Sequence, residues 1–527
     1  MNFNYQQFFP YPQVREEQHT AIEFALDAFI NQEKRFVIIE AGTGVGKSAI
    51  GFTIAKFLGN GAYFLTTQKV LQDQYVRDFG TQGLKSIKSS TNFRCKYYKA
   101  KDCSSALREL KVSKDQRFRA ACGGGCVYKK AKRTFLEAEL GTTNFPYFLA
   151  ETNYSAQLEP RELLVIDECH NTEIQLGKFI SIEISEHFAE SILKLSVPEL
   201  KTMHQVVTWV KNTYMPKLAS IKRHMEQQIE KFSLGSKMND FVQLAKRFEL
   251  IDKHLCKLNR FLEAFDKDNW VMNTITTEKR GKKKYEFKPI DIAPFSDNNL
   301  FKSGEKVLLM SATVMNKDAF CEVLGIPKSE CAFISIPSPF PIENRPIVFS
   351  PIASMTKRNI EQGLPKMAEA VKAILNEHKN DKGIIHCHSY KIANYLKNNI
   401  RSRRLLIHDS TNRDKVLYKH INGKSPTVLL SPSMSEGVDL KGDASRFQVL
   451  CKVPYPFLGD KLVRKRMNKW KWWYPLQTIK TIIQSVGRSI RTNDDRAITY
   501  ILDGDWERFY SKNRDLFPED FRKTLLR

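Results

Sequence analysis

The segment Ala41-Gly42-Thr43-Gly44-Val45-Gly46-Lys47-Ser48 constrains this 527-residue chain more than any other. It follows a short apolar run, Phe36-Val37-Ile38-Ile39, and opens a stretch of helical character from Lys47 to Leu58. A strand that turns through glycines directly into a helix gathers backbone N–H groups and the positive helix end at one point, which suits a phosphate. Residues Ala41 to Gly46 would form the cradle, Lys47 would reach the β and γ phosphates, and Ser48 could ligate Mg²⁺. Ala41 stands where the general pattern has its first glycine, but Gly42, Gly44 and Gly46 keep the turn.

Such a turn works at the carboxyl edge of a parallel sheet, and the chain supplies the strands. Ala62 to Leu65, Leu163 to Ile166 and Val307 to Met310 are short apolar runs ending in polar residues, as buried parallel strands read. A second set follows at Gly383–His386, Arg404–Ile407, Thr427–Leu430, Val449–Cys451 and Ile498–Ile501. Two α/β units are therefore expected, joined by a linker carrying Pro337, Pro339, Pro341 and Pro346. About 140 residues between Ile166 and Val307 interrupt the alternation. From Ser185 to roughly Asp266 they are helix-forming, with apolar spacings such as Met203, Val206, Val207 and Val210, and predict an inserted helical domain. The run Glu278 to Lys284 at its end reads first as a solvated hairpin tip and second as a phosphate contact. Arg94 to Arg133 forms a smaller insertion.

Further chemistry lies at strand ends. Asp167 and Glu168 close the run ending at Ile166, about 120 residues after the phosphate loop. Asp167 could hold Mg²⁺ and Glu168 could polarise water for attack on a γ-phosphate. In the second unit Ser431 to Asp439 follows a strand, and Gln484 to Arg491 is expected on a helix. Arg488 and Arg491, reaching across a cleft, would neutralise charge on a transferred phosphoryl group; the alternative is an ordinary basic helix.

Lys plus Arg number 83 against 58 Asp plus Glu, a net charge of +25 that favours an anionic polymer as partner, nucleic acid before membrane. Thirteen basic residues against three acidic ones place +10 of it between Arg94 and Arg133. A second block, Lys469-Trp470-Lys471-Trp472-Trp473-Tyr474, interleaves cations with rings, echoed by Tyr97-Tyr98. That pattern suits single-stranded nucleic acid, or equally the packing of one lobe on another. No apolar run reaches the ~18 residues of a membrane span, and the N-terminus lacks a cationic start followed by an apolar core. The chain is expected in the cytoplasm, or the nucleus of a eukaryote, neither secreted nor in a membrane. Of ten cysteines, Cys95, Cys103, Cys122 and Cys126 cluster within the small basic insertion. Their spacing lacks the two tight pairs usual for zinc, and leaves zinc, an iron–sulfur cluster and free thiols all open.

The ordered series Arg15-Glu16-Glu17-Gln18, Gly42 to Ser48, Thr66-Thr67-Gln68, Asp167-Glu168-Cys169-His170, Ser311-Ala312-Thr313, Ser431 to Asp439 and Gln484 to Arg491 resembles the superfamily-two helicases. It looks like the XPD/DinG branch, because the two insertions fall where that branch carries an iron–sulfur domain and an arch. Cys169 replaces the alanine usual in that acidic box. The resemblance implies an α/β fold of two RecA-like parallel-sheet motor domains. The first would comprise residues 1–90, 141–180 and 289–338, interrupted by an iron–sulfur domain at 91–140 and a helical arch at 181–288; the second would span 339–527. It implies ATP, Mg²⁺ and a [4Fe–4S] cluster on the four clustered cysteines. Arg15, Gln18, Glu436, Gly437 and Asp439 would join the nucleotide site, with Gln18 near the adenine. Ser311 to Thr313 would couple hydrolysis to movement, and His170 and Gln484 would link the lobes. The implied activity is ATP-dependent translocation on single-stranded DNA, 5′ to 3′, with unwinding of tailed or forked duplexes. The alternatives are an ATPase that remodels nucleic acid without separating strands and a redox-responsive DNA-binding module.

Overall fold

In a computed structural model of the chain, residues 3–526 are described except 43, 99–101, 111–115, 233–237, 277–280, 409–411, 433–439, 441, 491 and 493; side chains are also left out at 108–110, 124, 231–232 and 238–242. Seventeen strands are present among them: β1 Phe36–Ala41, β2 Ala62–Thr66, β3 Lys85–Ser86, β4 Leu140–Asn144, β5 Arg161–Asp167, β6 Ile182–Ser185, β7 Trp270–Thr276, β8 Lys283–Pro289, β9 Gly304–Ser311, β10 Cys331–Ile336, β11 Ile347–Ala353, β12 Gly383–His386, β13 Leu405–Ile407, β14 Val428–Ser431, β15 Phe447–Leu450, β16 Ile498–Asp503 and β17 Leu525–Leu526. They build two seven-stranded parallel sheets, β10-β1-β9-β5-β2-β4-β3 and β13-β14-β12-β15-β16-β11-β17, and one antiparallel sheet, β6-β8-β7. Residues 337–346 connect the first parallel sheet to the second.

Register is what assembles the chemistry. Strand β9 lies between β1 and β5, pairing Ser311 with Glu40 and Met310 with Asp167. The phosphate loop, Asp167 and Ser311 therefore leave the sheet at one carboxyl edge, where open α/β sheets place their ligands. The buried runs expected as strands are strands, since β2 and the body of β5 have both faces covered. Strands β3, β4, β10, β11 and β17 escaped the sequence reading, some because they are short and some because polar residues such as Thr142 and Thr143 are buried in them.

The segment between β5 and β9 corrects an expectation. It is not all helix: the helices Met203–Trp209, Met215–Phe232 and Met238–Glu263 stand on the antiparallel sheet. Ile182, Ile184, Tyr285 and Phe287 turn inward from that sheet and pack with Trp209, Tyr214, Leu218, Leu258 and Phe261. The alternation in Lys283–Pro289 was masked in sequence by its lysines. Lysines at this turn are engaged locally: Lys282 pairs with Glu190 and Lys284 with Glu183, each at 2.7 Å, which favours the hairpin reading for them, while 278–280 of that run lie outside the described residues.

The tryptophan block is also settled. Trp470 and Trp473 are buried in the core of the first sheet, and the Trp470 indole donates to Glu322 Oε1 at 2.7 Å. Their helical neighbourhood Lys461–Lys469 ties the second parallel-sheet unit to the first. Arg466 ion-pairs with buried Glu173 and donates to the Ile290 carbonyl at 2.8 Å, while Lys469 meets Asp291 at 2.6 Å. These two rings serve lobe packing, not base stacking. Among the described residues no helix is long and apolar enough to cross a membrane.

Candidate nucleotide site between the two lobes

The phosphate loop begins at the end of β1, and the helix Lys47–Leu58 starts immediately behind it. Gly44 and Gly46 both have φ of +89°, a conformation that a side chain would strain. They are also crowded: a Cβ on Gly44 would meet the Phe340 ring at 2.1 Å, and one on Gly46 would meet the Gln18 amide at 2.4 Å. Gln18 and Arg15 clamp the loop from outside. Gln18 Nε2 donates to the Val45 carbonyl at 2.9 Å, Arg15 Nη2 to the same oxygen at 3.0 Å, and Gln18 Oε1 accepts from the Arg15 N–H. Lys47 Nζ donates to the Ala41 carbonyl at 3.2 Å, across the mouth of the cradle.

Opposite stands the acidic pair. Asp167 Oδ1 accepts from the Glu168 N–H at 2.9 Å, and Asp167 Oδ2 accepts from the Tyr75 phenol at 3.0 Å. Burial and the neighbouring Glu168 raise the Asp167 carboxyl. Burial also opposes ionisation of Glu168, but the hydrogen bond from His170 and the charges of Lys47 and Arg488 outweigh it and hold Glu168 low. Glu168 itself has a φ of +51°, which turns it away from the strand direction that carries Asp167.

His170 passes this geometry on. Asn171 Nδ2 donates to its Nε2 at 2.9 Å, so the ring proton sits on Nδ1, facing Ser311 Oγ at 2.7 Å and Glu168 Oε2 at 3.3 Å. Ser311 Oγ accepts the Thr313 N–H at 3.1 Å. From the second unit, Gln484 Nε2 donates to Thr313 Oγ1 at 3.2 Å and Lys480 Nζ donates to the His170 carbonyl at 3.3 Å. A chain of contacts thus runs from the acidic pair across the cleft to the helix Trp473–Val486.

That helix ends at Val486, where Gly487 caps it, so Arg488 lies in the following turn and not on a helix as expected. The turn still brings its charge to bear on Glu168. Thr43, Glu436, Gly437, Asp439 and Arg491 lie outside the described residues. Sequence reasoning missed Tyr75, Phe340 and Lys480. Tyr75 sits where the helix Lys69–Phe79 needs an apolar residue, so nothing in its spacing marks its hydroxyl.

In the small insertion, Cys103 and Cys122 are buried and Cys95 and Cys126 half-buried, around Ala106 and Phe118. Burial and the neighbouring thiols push Cys103 up to about 11. Burial and the neighbouring Cys126 thiol also raise Cys122. Among the described residues no three metal-donor side chains stand in a ready coordination geometry. Tyr97 and Tyr98 pack on Phe118, with centroids 5.4 and 4.8 Å away, completing a very small core.

A cradle for phosphate, an acidic pair at the adjoining strand end and cations from a second parallel-sheet lobe define a two-lobed P-loop motor. Residues 11–197 match the family described as "Type III restriction enzyme, res subunit", and residues 372–524 match "Helicase C-terminal domain". The ATP-dependent DNA helicase YoaA of Escherichia coli is 21% identical over 72% of this chain and 66% of its own length. YoaA of Haemophilus influenzae is also 21% identical, over 94% of this chain and 91% of its own. A solved structure titled "XPD_Helicase" superposes with a TM-score of 0.66 and 15% identity, covering 98% of this chain and 100% of that one. The chain is thus similar to ATP-dependent DNA helicases of the YoaA and DinG type, and shares the fold of the XPD helicase structure.

Proposed function

We propose that the chain hydrolyses ATP to move 5′ to 3′ along single-stranded DNA and to separate tailed or forked duplexes. The observation that carries this reading is the bridge from Glu168 through His170, Ser311 and Thr313 to Gln484, which joins the hydrolytic carboxylate to the second lobe. Lys47 and Ser48 hold phosphate and Mg²⁺, and Asp167 completes the metal site. Glu168, kept ionised by its neighbours, takes the proton of the attacking water as the bond to the γ-phosphate breaks, giving ADP and phosphate. Arg488 offsets the charge that develops, with Arg491 as its partner. Opening and closing of the cleft would then be transmitted through the His170–Gln484 bridge. ATP turnover should rise on adding single-stranded DNA; turnover indifferent to DNA would contradict the motor reading.

The four thiols would suit a [4Fe–4S] group by donor type, and they lie in one small unit whose own core is Ala106, Phe118 and Cys122 with partly buried neighbours. Cys95, Cys103, Cys122 and Cys126 would hold it, and it would supply a rigid cross-link to a unit too small to hold its shape by burial alone. Arg94, Lys96, Lys130 and Arg133 are exposed on or beside this unit and suit a DNA strand near the point of separation. Cys103→Ser is expected to remove visible colour and bound iron, and to reduce unwinding more than DNA-independent ATP turnover. Iron per chain unchanged in that variant would exclude Cys103 as a ligand.

A further inference from the structure

Tyr75 hydrogen-bonds Asp167, a candidate metal-holding group, from an element that carries neither Asp167 nor Ser48. It lies on the helix Lys69–Phe79, behind β2, whereas Ser48 opens the helix after β1 and Asp167 ends β5. The ring is 2% exposed and fixed by aromatic neighbours: Phe64 at 5.5 Å and Phe79 at 5.8 Å, with Phe79 stacked on Phe52 of the phosphate-loop helix at 4.5 Å. It cannot swing away without breaking this stack. A phenylalanine would fill the same apolar space, so packing does not explain the hydroxyl. A buried phenol needs a partner, and here it is the Asp167 carboxylate, which accepts at 3.0 Å. The other carboxylate oxygen of Asp167 accepts the Glu168 N–H, so both oxygens of the side chain are tied.

We propose that Tyr75 is a positioning residue for Mg²⁺–nucleotide binding: its phenol holds the Asp167 carboxylate in one fixed orientation. The proposal rests on the nucleotide-site reading above. Groups that orient metal ligands in this way are typically worth roughly ten- to a hundredfold in metal affinity. The phenol acts on the metal-dependent part of binding only, because it does not reach the loop backbone that cradles the phosphates.

The test is titration of a fluorescent ATP analogue, in EDTA and across a range of Mg²⁺ concentrations, with wild type, Tyr75→Phe, Asp167→Asn and the double variant. For Tyr75→Phe the Mg²⁺ concentration giving half-maximal tightening should rise roughly tenfold or more, while affinity in EDTA and the thermal midpoint stay at wild-type values. In the Asp167→Asn background, Tyr75→Phe should produce no further shift, because the coupling runs through that carboxylate. An unchanged Mg²⁺ midpoint in Tyr75→Phe would overturn the proposal. So would a loss of EDTA-state affinity in step with stability, which would mark a structural role. A wild-type protein that binds no analogue at all would overturn instead the nucleotide-site reading beneath it.

Discussion

Lys47→Ala is expected to lower ATP turnover by at least about a hundredfold while leaving affinity for single-stranded DNA close to wild type. The ammonium stands 3.2 Å from the Ala41 carbonyl at the mouth of the cradle, and its charge helps keep Glu168 ionised. Its removal therefore strikes twice: the β and γ phosphates lose a cation, and the carboxylate proposed as base becomes harder to ionise. Loss of one preorganised donor to developing charge costs about 3–4 kcal/mol in comparable sites. The basic surface proposed for DNA, including Arg94, Lys96, Lys130 and Arg133, lies on a different unit and is untouched. Steady-state hydrolysis measured beside DNA anisotropy checks both halves. Turnover within a few-fold of wild type would remove Lys47 from the chemistry.

Arg466→Ala should be the most damaging change away from the nucleotide. The guanidinium and Glu173 are about equally buried, at 9% and 10% side-chain exposure, and belong to different units of the fold. Arg466 also donates to the Ile290 and Pro289 carbonyls, at 2.8 and 3.4 Å, beside the antiparallel sheet. Truncation leaves a buried carboxylate and two carbonyls without their donor, a loss of about 3–5 kcal/mol. Several units unfold here, so the effect is best read locally: amide exchange over the helix Lys461–Lys469 should accelerate roughly a hundredfold or more. Replacing both partners, as Arg466→Met with Glu173→Leu, should recover most of the protection, since an apolar pair carries no unpaired charge. Exchange unchanged in Arg466→Ala would show that the Arg466–Glu173 pair is not what holds this helix on the first unit.

The nucleotide site was legible because its parts are local. Glycines at Gly44 and Gly46, a lysine and a serine at a strand-to-helix turn, and two carboxylates at a strand end each announce themselves without knowledge of the rest. What stayed hidden depends on elements far apart in the chain. Tyr75 reads as an apolar helix residue until the fold sets its hydroxyl against Asp167, 92 positions away. Trp470 and Trp473, surrounded by lysines, carried the signature of a base-stacking strip, yet 148 positions separate Trp470 from the Glu322 carboxylate that receives its N–H. Charge misled in the same way at Lys282 and Lys284, whose acidic partners precede them by about a hundred residues. Composition sees cations; only the fold shows which are already neutralised. The net charge of +25 therefore overstates the positive surface the folded chain presents.

The most direct measurement of the central claim is strand separation of matched duplexes that carry a single-stranded tail on the 5′ or the 3′ side, with and without ATP and Mg²⁺. ATP-dependent separation of the 5′-tailed substrate, weak on the 3′-tailed one and absent in Lys47→Ala, is the predicted result. DNA-stimulated ATP turnover with neither substrate opened would contradict it, and would leave a translocase that remodels nucleic acid without unwinding it.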